Sequence, residues 1–489
     1  MIKFTTISLK RSMVDMLAIP VCEDTVIHNS PILQKLVSAA KALEEFTGEA
    51  TQKIVHYSPA DTKIRRCLCM GLGPHEKVNA ESLRTAAGRA VKTAMDAKLK
   101  KIVIAIPDGP TLKLENLEVI RAMAEGAYLA NHVFDQYKEK AKKTPLKEIA
   151  LLLSSNPTKG QRAVLQRVEA VCQGTLLARE WVSTPSNDKL PAQFAKMVRN
   201  AAQDTGLKIT IMGEGQLQKK KFGALLAVSK GSAHGPQLVE MVYAPKKARK
   251  TIVLVGKGVT FDTGGINLKP SSGLNTMKID MSGAAAVAAT MIAVSSLKPK
   301  HRVVGILPLV ENMPSGRATR PGDIVKSFAG KTVEIGNTDA EGRLILIDAM
   351  AYAIKKYKPD TLIDLATLTG ACVVALGQKL AGVFSKDQDL SNAIITSGSG
   401  THERCWPMPL PEDYKELIKS ELADISNMPS TRYGAAITAA LFLSEFVGDT
   451  RWAHIDIAGP VFMKKGSDYC GPGGTGFGVR LLCDLIDKL

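Results

Sequence analysis

The usual cysteine and histidine motifs for holding zinc, and an aromatic surface for stacking single-stranded bases, are missing from this sequence. There is no Cys-x-x-Cys pair and no His-Glu-x-x-His run, and none of the eight histidines lies in the glycine-rich acidic stretches. Those absences argue against a zinc knuckle and against a histidine-based zinc protease. Aromatic residues make up only 5% and are not interleaved with the lysine clusters, too few for a surface on which single-stranded bases stack. The N-terminus has neither an uninterrupted apolar run nor a small-residue cleavage site, so no signal peptide is expected. The longest apolar runs, such as "GAAAVAATMIAV" (283–294), fall short of the ~18 residues that a membrane span needs. A cytoplasmic chain without membrane contact is the expectation.

Acidic residues are also in deficit, 47 against 64 lysines and arginines, which leaves a net charge of +17. The excess clusters at 138–143, 219–221 and 245–250 and reads as solvated loops, with DNA as a secondary partner the alternative class. The eight cysteines are scattered and mostly in apolar context. Cys67 and Cys69 alternate on one face of an expected strand, and buried thiols are a better reading than a disulfide framework or a zinc site.

What is present describes an α/β protein of two domains, because 489 residues exceed one ordinary core. Residues 1–159 alternate short β-branched runs ("RRCLCMGLG", "KIVIAIP") with helical spacings and form a smaller α/β domain. Residues 160–184 read as a connecting helix that stops before Pro185. Residues 185–489 are richer in strands and form a larger α/β domain around a mixed central sheet. The "GLG" after Cys69 lacks the third glycine of a dinucleotide fingerprint, and "VGKGVT" lacks the upstream glycine of a phosphate loop.

Charge converges in three places. "TIVLVGKGVTFDTGGINLKP" carries Lys257, Asp262 and Lys269 on glycine-rich loops after a strand, where a simple loop ion pair is the bland reading. "MKIDMSGAAAV" puts Asp280 before a small-residue helix, where it could merely cap the helix. "VEIGNTDAEGRLIL" puts Asp339, Glu341 and Arg343 at a further strand-to-helix junction, where Thr338 to Glu341 reads as a capping box. The carboxyl ends of strands are where α/β sheets bind ligands. Four carboxylates gathered there raise one another's pKa unless cations compensate them, and a pair of divalent ions is the usual compensation. His454, on an alternating strand, reads as a core or supporting residue.

These stretches resemble the leucyl aminopeptidases of the cytosolic, two-metal type (peptidase family M17). "NTDAEGRL" is the most specific, and "ENMPSGRATRPGDIV", "DLATLTGA", "RYGAAITAALFL" and "WAHIDIAGP" extend the likeness over most of the C-terminal 300 residues. The first 160 residues match only loosely. The resemblance implies a metalloaminopeptidase that removes leucine-like residues from peptide substrates. One metal would sit on Asp262, Asp339 and Glu341, and the second on Lys257, Asp262, Asp280 and Glu341. The ions would be Mn²⁺ or Zn²⁺, with Mg²⁺ possible in one site. Lys269 and Arg343 would be the catalytic residues that are not ligands, the arginine holding a bicarbonate ion. Met277, Asn337, Ala340, Thr367, Leu368 and Gly370 would line the substrate pocket. The resemblance also implies a homohexamer.

Overall fold

The computed structural model describes residues 2–57, 62–140 and 143–489, so part of the lysine run at 138–143 lies outside the described residues. The chain divides into two compact units, Met1–Cys172 with Lys464–Pro472, and Gln173–Met463 with Gly473–Leu489. The division falls within the helix Lys159–Ser183, and a short segment near the C-terminus joins the first unit.

Among the described residues the first unit has six strands, β1 (Ile2–Thr5), β2 (Leu17–Cys22), β3 (Lys53–His56), β4 (Cys67–Gly73), β5 (Lys101–Ala105) and β6 (Glu148–Leu152). They are ordered β1-β6-β5-β2-β4-β3. All neighbours are parallel except the edge strand β3, which runs antiparallel to β4. β2 and β4 are buried along their whole length, as strands of a sheet covered on both faces must be.

The second unit is built on β7 (Lys208–Gly213), β8 (Gln237–Tyr243), β9 (Thr251–Gly256), β10 (Gly258–Asp262) and β11 (Arg302–Asn312). They are followed by β12 (Ile324–Lys326), β13 (Thr332–Glu334), β14 (Thr361–Ala366), β15 (Ala381–Phe384), β16 (Cys405–Pro407), β17 (Ile425–Ser426) and β18 (Trp452–Asp456). The main sheet is mixed, in the order β16-β15-β18-β14-β9-β11-β8-β7, with β10 also on β11. β12, β13 and β17 form a separate three-stranded sheet. The run "KTVEI" therefore does not end at the main sheet as the sequence pattern suggested; apolar alternation identifies a strand but not the sheet it joins.

Small residues let the helix Ser282–Leu297 pack closely, and it is buried on nearly all sides. With the turn before it, this stretch runs 21 residues from Met277 to Leu297 and by length and composition could cross a membrane. Of its most apolar window, 78% is buried inside the protein, which identifies it as a core helix. The helix Glu341–Tyr357 is likewise buried along most of its length, among core residues that include Val253, Val255, Ile306 and Leu362.

Candidate active site

β9 and β10 are two halves of one strand interrupted at Lys257. β11, at 11 residues, is long enough to pair with β9 through Arg302–Ile306 and with β10 through Leu309–Asn312. At the interruption the Lys257 N–H donates to the Leu365 carbonyl at 3.0 Å, and the Lys257 carbonyl accepts from the Ala284 N–H at 2.8 Å. The backbone is thus fixed on both sides while the side chain runs inward. Gly342 makes room for it: a Cβ there would lie 2.5 Å from Lys257 Cε. A side chain at position 342 would force the end of the Lys257 side chain to shift from its place between the acids.

Lys257 Nζ lies 2.8 Å from Asp280 Oδ1 and 2.8 Å from Glu341 Oε1. It also donates to the Thr367 carbonyl at 2.9 Å. Lys269 Nζ lies 2.8 Å from Asp262 Oδ2 and contacts the Asp339 carboxylate. The loop ion pair between Lys257 and Asp262 does not form; each lysine bridges a different pair of acids. Asp262 is the last residue of strand β10, rather than a loop residue. Carboxylate oxygens of Asp262, Asp280 and Glu341 all lie within 4.8 Å of one another, and the three residues are buried.

Neither helix-capping alternative holds. The helix at Glu341 has Ala340 at its N-cap, and the helix at Ser282 has Met281, neither with a side-chain cap. Thr338 instead donates to the Gly264 carbonyl at 2.6 Å, and its N–H donates to Asn267 Oδ1 at 2.9 Å. These bonds lace the 262–270 loop to the 337–341 loop. Gly264 and Gly265 turn that loop with φ of +90° and +68°, a region that costs glycine little.

The electrostatics follow from crowding. Burial raises the Asp262 pKa, and Glu341 raises it further, against the pull of Lys269 and Lys257. Burial also lifts Asp280 well above the usual carboxylate range, with Glu341 and Asp262 adding to it against Lys257. Asp339 is raised by burial and by Asp262. Burial opposes the charge on Lys257, but Asp280, Glu341 and Asp262 outweigh it and the ammonium is favoured. Asp280 Oδ2 is buried with no hydrogen-bond partner. Buried acids in excess, one with an orphaned oxygen, are a donor set suited to divalent cations. Cations taking over the carboxylates would remove the forces that keep Lys257 protonated, freeing its amine as a ligand.

Arg343 is buried 6% exposed, and its Nη1 donates to the Asn427 carbonyl at 2.6 Å. Its Nε has no partner, a donor that fits a small bound anion such as bicarbonate. Burial lowers its pKa to about 10, against Glu341 and Asp456, so it stays charged at neutral pH.

The expected pocket residues divide. Thr367 donates to Asp280 Oδ1 at 2.7 Å, and Asn337 Oδ1 accepts the Asp339 N–H at 2.7 Å. The Leu368 N–H donates to Asp456 Oδ1 at 3.2 Å, and the Ala340 carbonyl accepts from Asn427 at 3.3 Å. Met277 is half-buried on the turn before Asp280, where its carbonyl accepts the Asp280 N–H at 3.2 Å. Gly370 is exposed at the first turn of the helix Gly370–Leu376. His454 is fully buried, 2.6 Å from Asp364, which also accepts from the Trp452 indole at 2.7 Å.

Sequence reasoning passed over two asparagines. Asn312 Nδ2 donates to Asp262 Oδ1 at 2.8 Å and to the Thr338 carbonyl at 2.9 Å. Asn427 Oδ1 accepts the N–H groups of Gly336 at 2.8 Å and Asn337 at 3.3 Å, while Nδ2 donates to the Asn337 carbonyl at 2.8 Å. A signal was available: the tetrapeptide "NMPS" occurs at 312–315 and again at 427–430, each time where a strand ends. Asn427→Ala leaves the buried Ala340 carbonyl and the partly buried backbone groups of Gly336 and Asn337 without this partner, and a group left unpaired away from water costs about 1–3 kcal/mol. The expected result is a loss of about 2–4 kcal/mol in denaturant unfolding, with weaker metal retention because the loop carrying Asp339 is released. Unchanged stability and metal content would rule out this supporting role.

Comparison with known proteins places these features in context. The model for the "Cytosol aminopeptidase family, catalytic domain" matches residues 176–483, and the model for that family's N-terminal domain matches residues 24–141. A probable cytosol aminopeptidase of Chlorobium limicola is 40% identical over 504 residues, covering 100% of this chain and 99% of its own. One from a Geobacter species is 42% identical over 448 residues, covering 91% of this chain and 90% of its own. Among solved structures, the bottromycin maturation enzyme BotP in complex with Mn has a TM-score of 0.88 at 34% identity, covering 97% of this chain and 99% of that one. A tomato leucine aminopeptidase variant has a TM-score of 0.88 at 31% identity, covering 100% of this chain and 96% of that one.

Proposed function

This chain belongs to the cytosol aminopeptidase family, and from that premise we propose that it is a two-metal aminopeptidase that removes leucine-like residues from peptide N-termini. The observation that carries the reading is the buried cluster of Asp262, Asp280 and Glu341, with ligand oxygens within 4.8 Å of one another and a lysine on either side. Asp262, Asp339 and Glu341 would hold one cation, and Lys257, Asp262, Asp280 and Glu341 the other. Bound there, divalent cations would supply Lewis-acid activation of water and of the scissile carbonyl.

The chain's own residues do the rest. Lys269, 18% exposed in its side chain, keeps an ammonium at the rim of the cluster, where it can donate to the oxygen that gains charge as the peptide carbonyl is attacked. Arg343 holds a fixed positive charge and a spare N–H for the anion that accepts and returns the proton. Thr367 orients Asp280 through its hydroxyl, and Asn312 orients Asp262 through its amide. Met277 and Leu368 offer apolar surface for the side chain of the residue removed, which favours leucine over smaller residues by about 1–3 kcal/mol per methylene.

The test is a panel of aminoacyl amides on chelator-stripped protein reconstituted with Mn²⁺, Zn²⁺ or Mg²⁺. Leucyl amide should exceed alanyl amide in kcat/KM by about tenfold or more. N-acetylated leucyl amide should not be cleaved. Turnover without metal, or equal turnover of the acetylated substrate, would exclude the proposal.

A further inference from the structure

The first unit carries a second cluster of metal-binding side chains, distinct in chemistry from the carboxylates. Cys67 and Cys69 are both 0% exposed, and their sulfurs lie 4.0 Å apart. His56 Nε2 lies 3.9 Å from Cys69 Sγ, and all three ligand atoms lie within 4.8 Å of one another.

The sheet explains how they meet. Alternate residues of β4 put both thiols on one face. β3 runs antiparallel beside it, with His56 directly opposite Cys67, so the imidazole stands on that same face. The sequence hid the third donor because it comes from a neighbouring strand rather than from a short spacing. His56 Nδ1 lies 3.4 Å from the Tyr57 carbonyl. A proton kept on Nδ1 by that carbonyl leaves Nε2 as the free lone pair facing the sulfurs, the usual orientation of a ligating histidine.

The spacing suits one ion. Metal–sulfur and metal–nitrogen bonds of about 2.3 and 2.0 Å in a tetrahedral site put sulfurs about 3.8 Å apart and sulfur to nitrogen about 3.5 Å. The observed 4.0 and 3.9 Å need adjustments of a few tenths of an ångström, and the remaining pair, His56 and Cys67, lies within 4.8 Å. A disulfide is the poorer alternative, because β4 is held in extended ladders by β2 and by β3. Residues two apart in such a strand have Cα atoms about 6.7 Å apart, at the upper edge of what a disulfide spans. The surroundings are apolar, with Leu17, Ile19, Leu36 and Ile64 in the same core cluster, while His56 is half-buried and gives access at the sheet edge.

We propose that His56, Cys67 and Cys69 form a binding site for a soft d¹⁰ cation, Zn²⁺ or Cu⁺, at the edge of the N-terminal sheet. Both thiols release their protons to solvent on binding, and no change of oxidation state is involved. Two thiolates and one imidazole select such ions over Mg²⁺ or Mn²⁺, which prefer oxygen.

The test uses the full-length protein, stripped of metal under reducing conditions and titrated with Co²⁺ as a stand-in for Zn²⁺, and separately with Cu⁺. The carboxylate centre offers only oxygen and nitrogen donors, so a thiolate-to-metal charge-transfer band in the near ultraviolet reports this site alone. One of the two ions should produce that band, with a final amplitude equal to one thiolate-bound ion per chain once any ions taken up by the carboxylate centre are accounted for. C69A should lose it and keep the wild-type turnover of leucyl amide. H56A, a change at a half-buried edge position, should keep the fold and weaken binding at least about tenfold, since even partners behind a ligand are worth that much. Absence of the band with both ions, its survival in C69A, or full affinity in H56A would overturn the assignment.

Discussion

Glu341→Gln is expected to abolish metal retention and peptide hydrolysis together. Glu341 is 2% exposed, at the first residue of the helix Glu341–Tyr357, and its carboxylate lies within 4.8 Å of those of Asp262 and Asp280. Glutamine keeps the volume and replaces one carboxylate oxygen by an amide nitrogen that only donates. The variant therefore offers a single neutral oxygen where two cations would share two charged ones. Metal content, read by mass spectrometry after gel filtration, should fall close to zero. kcat/KM should fall by on the order of 10³ or more, as when a charge stabiliser is removed from a reacting centre. The fold should persist, because Lys257 keeps Asp280 at 2.8 Å as a partner. A variant that folds, holds wild-type metal and turns over normally would remove the shared-carboxylate arrangement from consideration.

The acids and lysines of this site could be read in the sequence because charged residues among glycines, at the ends of apolar runs, have few structural uses. The geometry connecting them could not. Nothing in "TIVLVGKGVTFD" reveals that the strand resumes after Lys257, since that depends on β11 being long enough to serve both halves. Nor does "KTVEI" reveal a separate small sheet, because strand alternation carries no information about the partner. The capping box failed for a related reason: Thr338 is taken by Gly264 and Asn267, residues some 70 positions away, and long-range bonds outcompete local ones. Asn312 and Asn427 are uncharged and mid-loop in appearance, so only the repeated "NMPS" distinguishes them. His56 was invisible for the same reason as β10: its role depends on register between strands.

Arg343→Ala is expected to do the reverse of Glu341→Gln: metals stay and turnover falls. Residues two apart on a helix point about 200° apart, so Arg343 does not share the face of Glu341. Its guanidinium is held by the Asn427 carbonyl and lies 6.0 Å from the Phe442 ring centroid, and neither contact involves a carboxylate of the cluster. Truncation removes the fixed charge and the unpartnered Nε, and leaves Asp262, Asp280, Asp339 and Glu341 in place. On the proposed role the loss would fall on proton transfer, so kcat should fall by about 10²–10³ while KM and metal content change little. Added bicarbonate should raise the rate of metal-loaded wild type and leave Arg343→Ala unaffected. Arg343→Lys keeps the charge but not the planar fork, and should recover only part of the rate. If Arg343→Ala instead purifies without metal, the arginine supports the ligand loop through Asn427 and the anion-holding role is wrong. Asn427→Ala separates the two cases, since it loosens the loop while leaving the Asn427 carbonyl, and so the Arg343 anchor, in the chain.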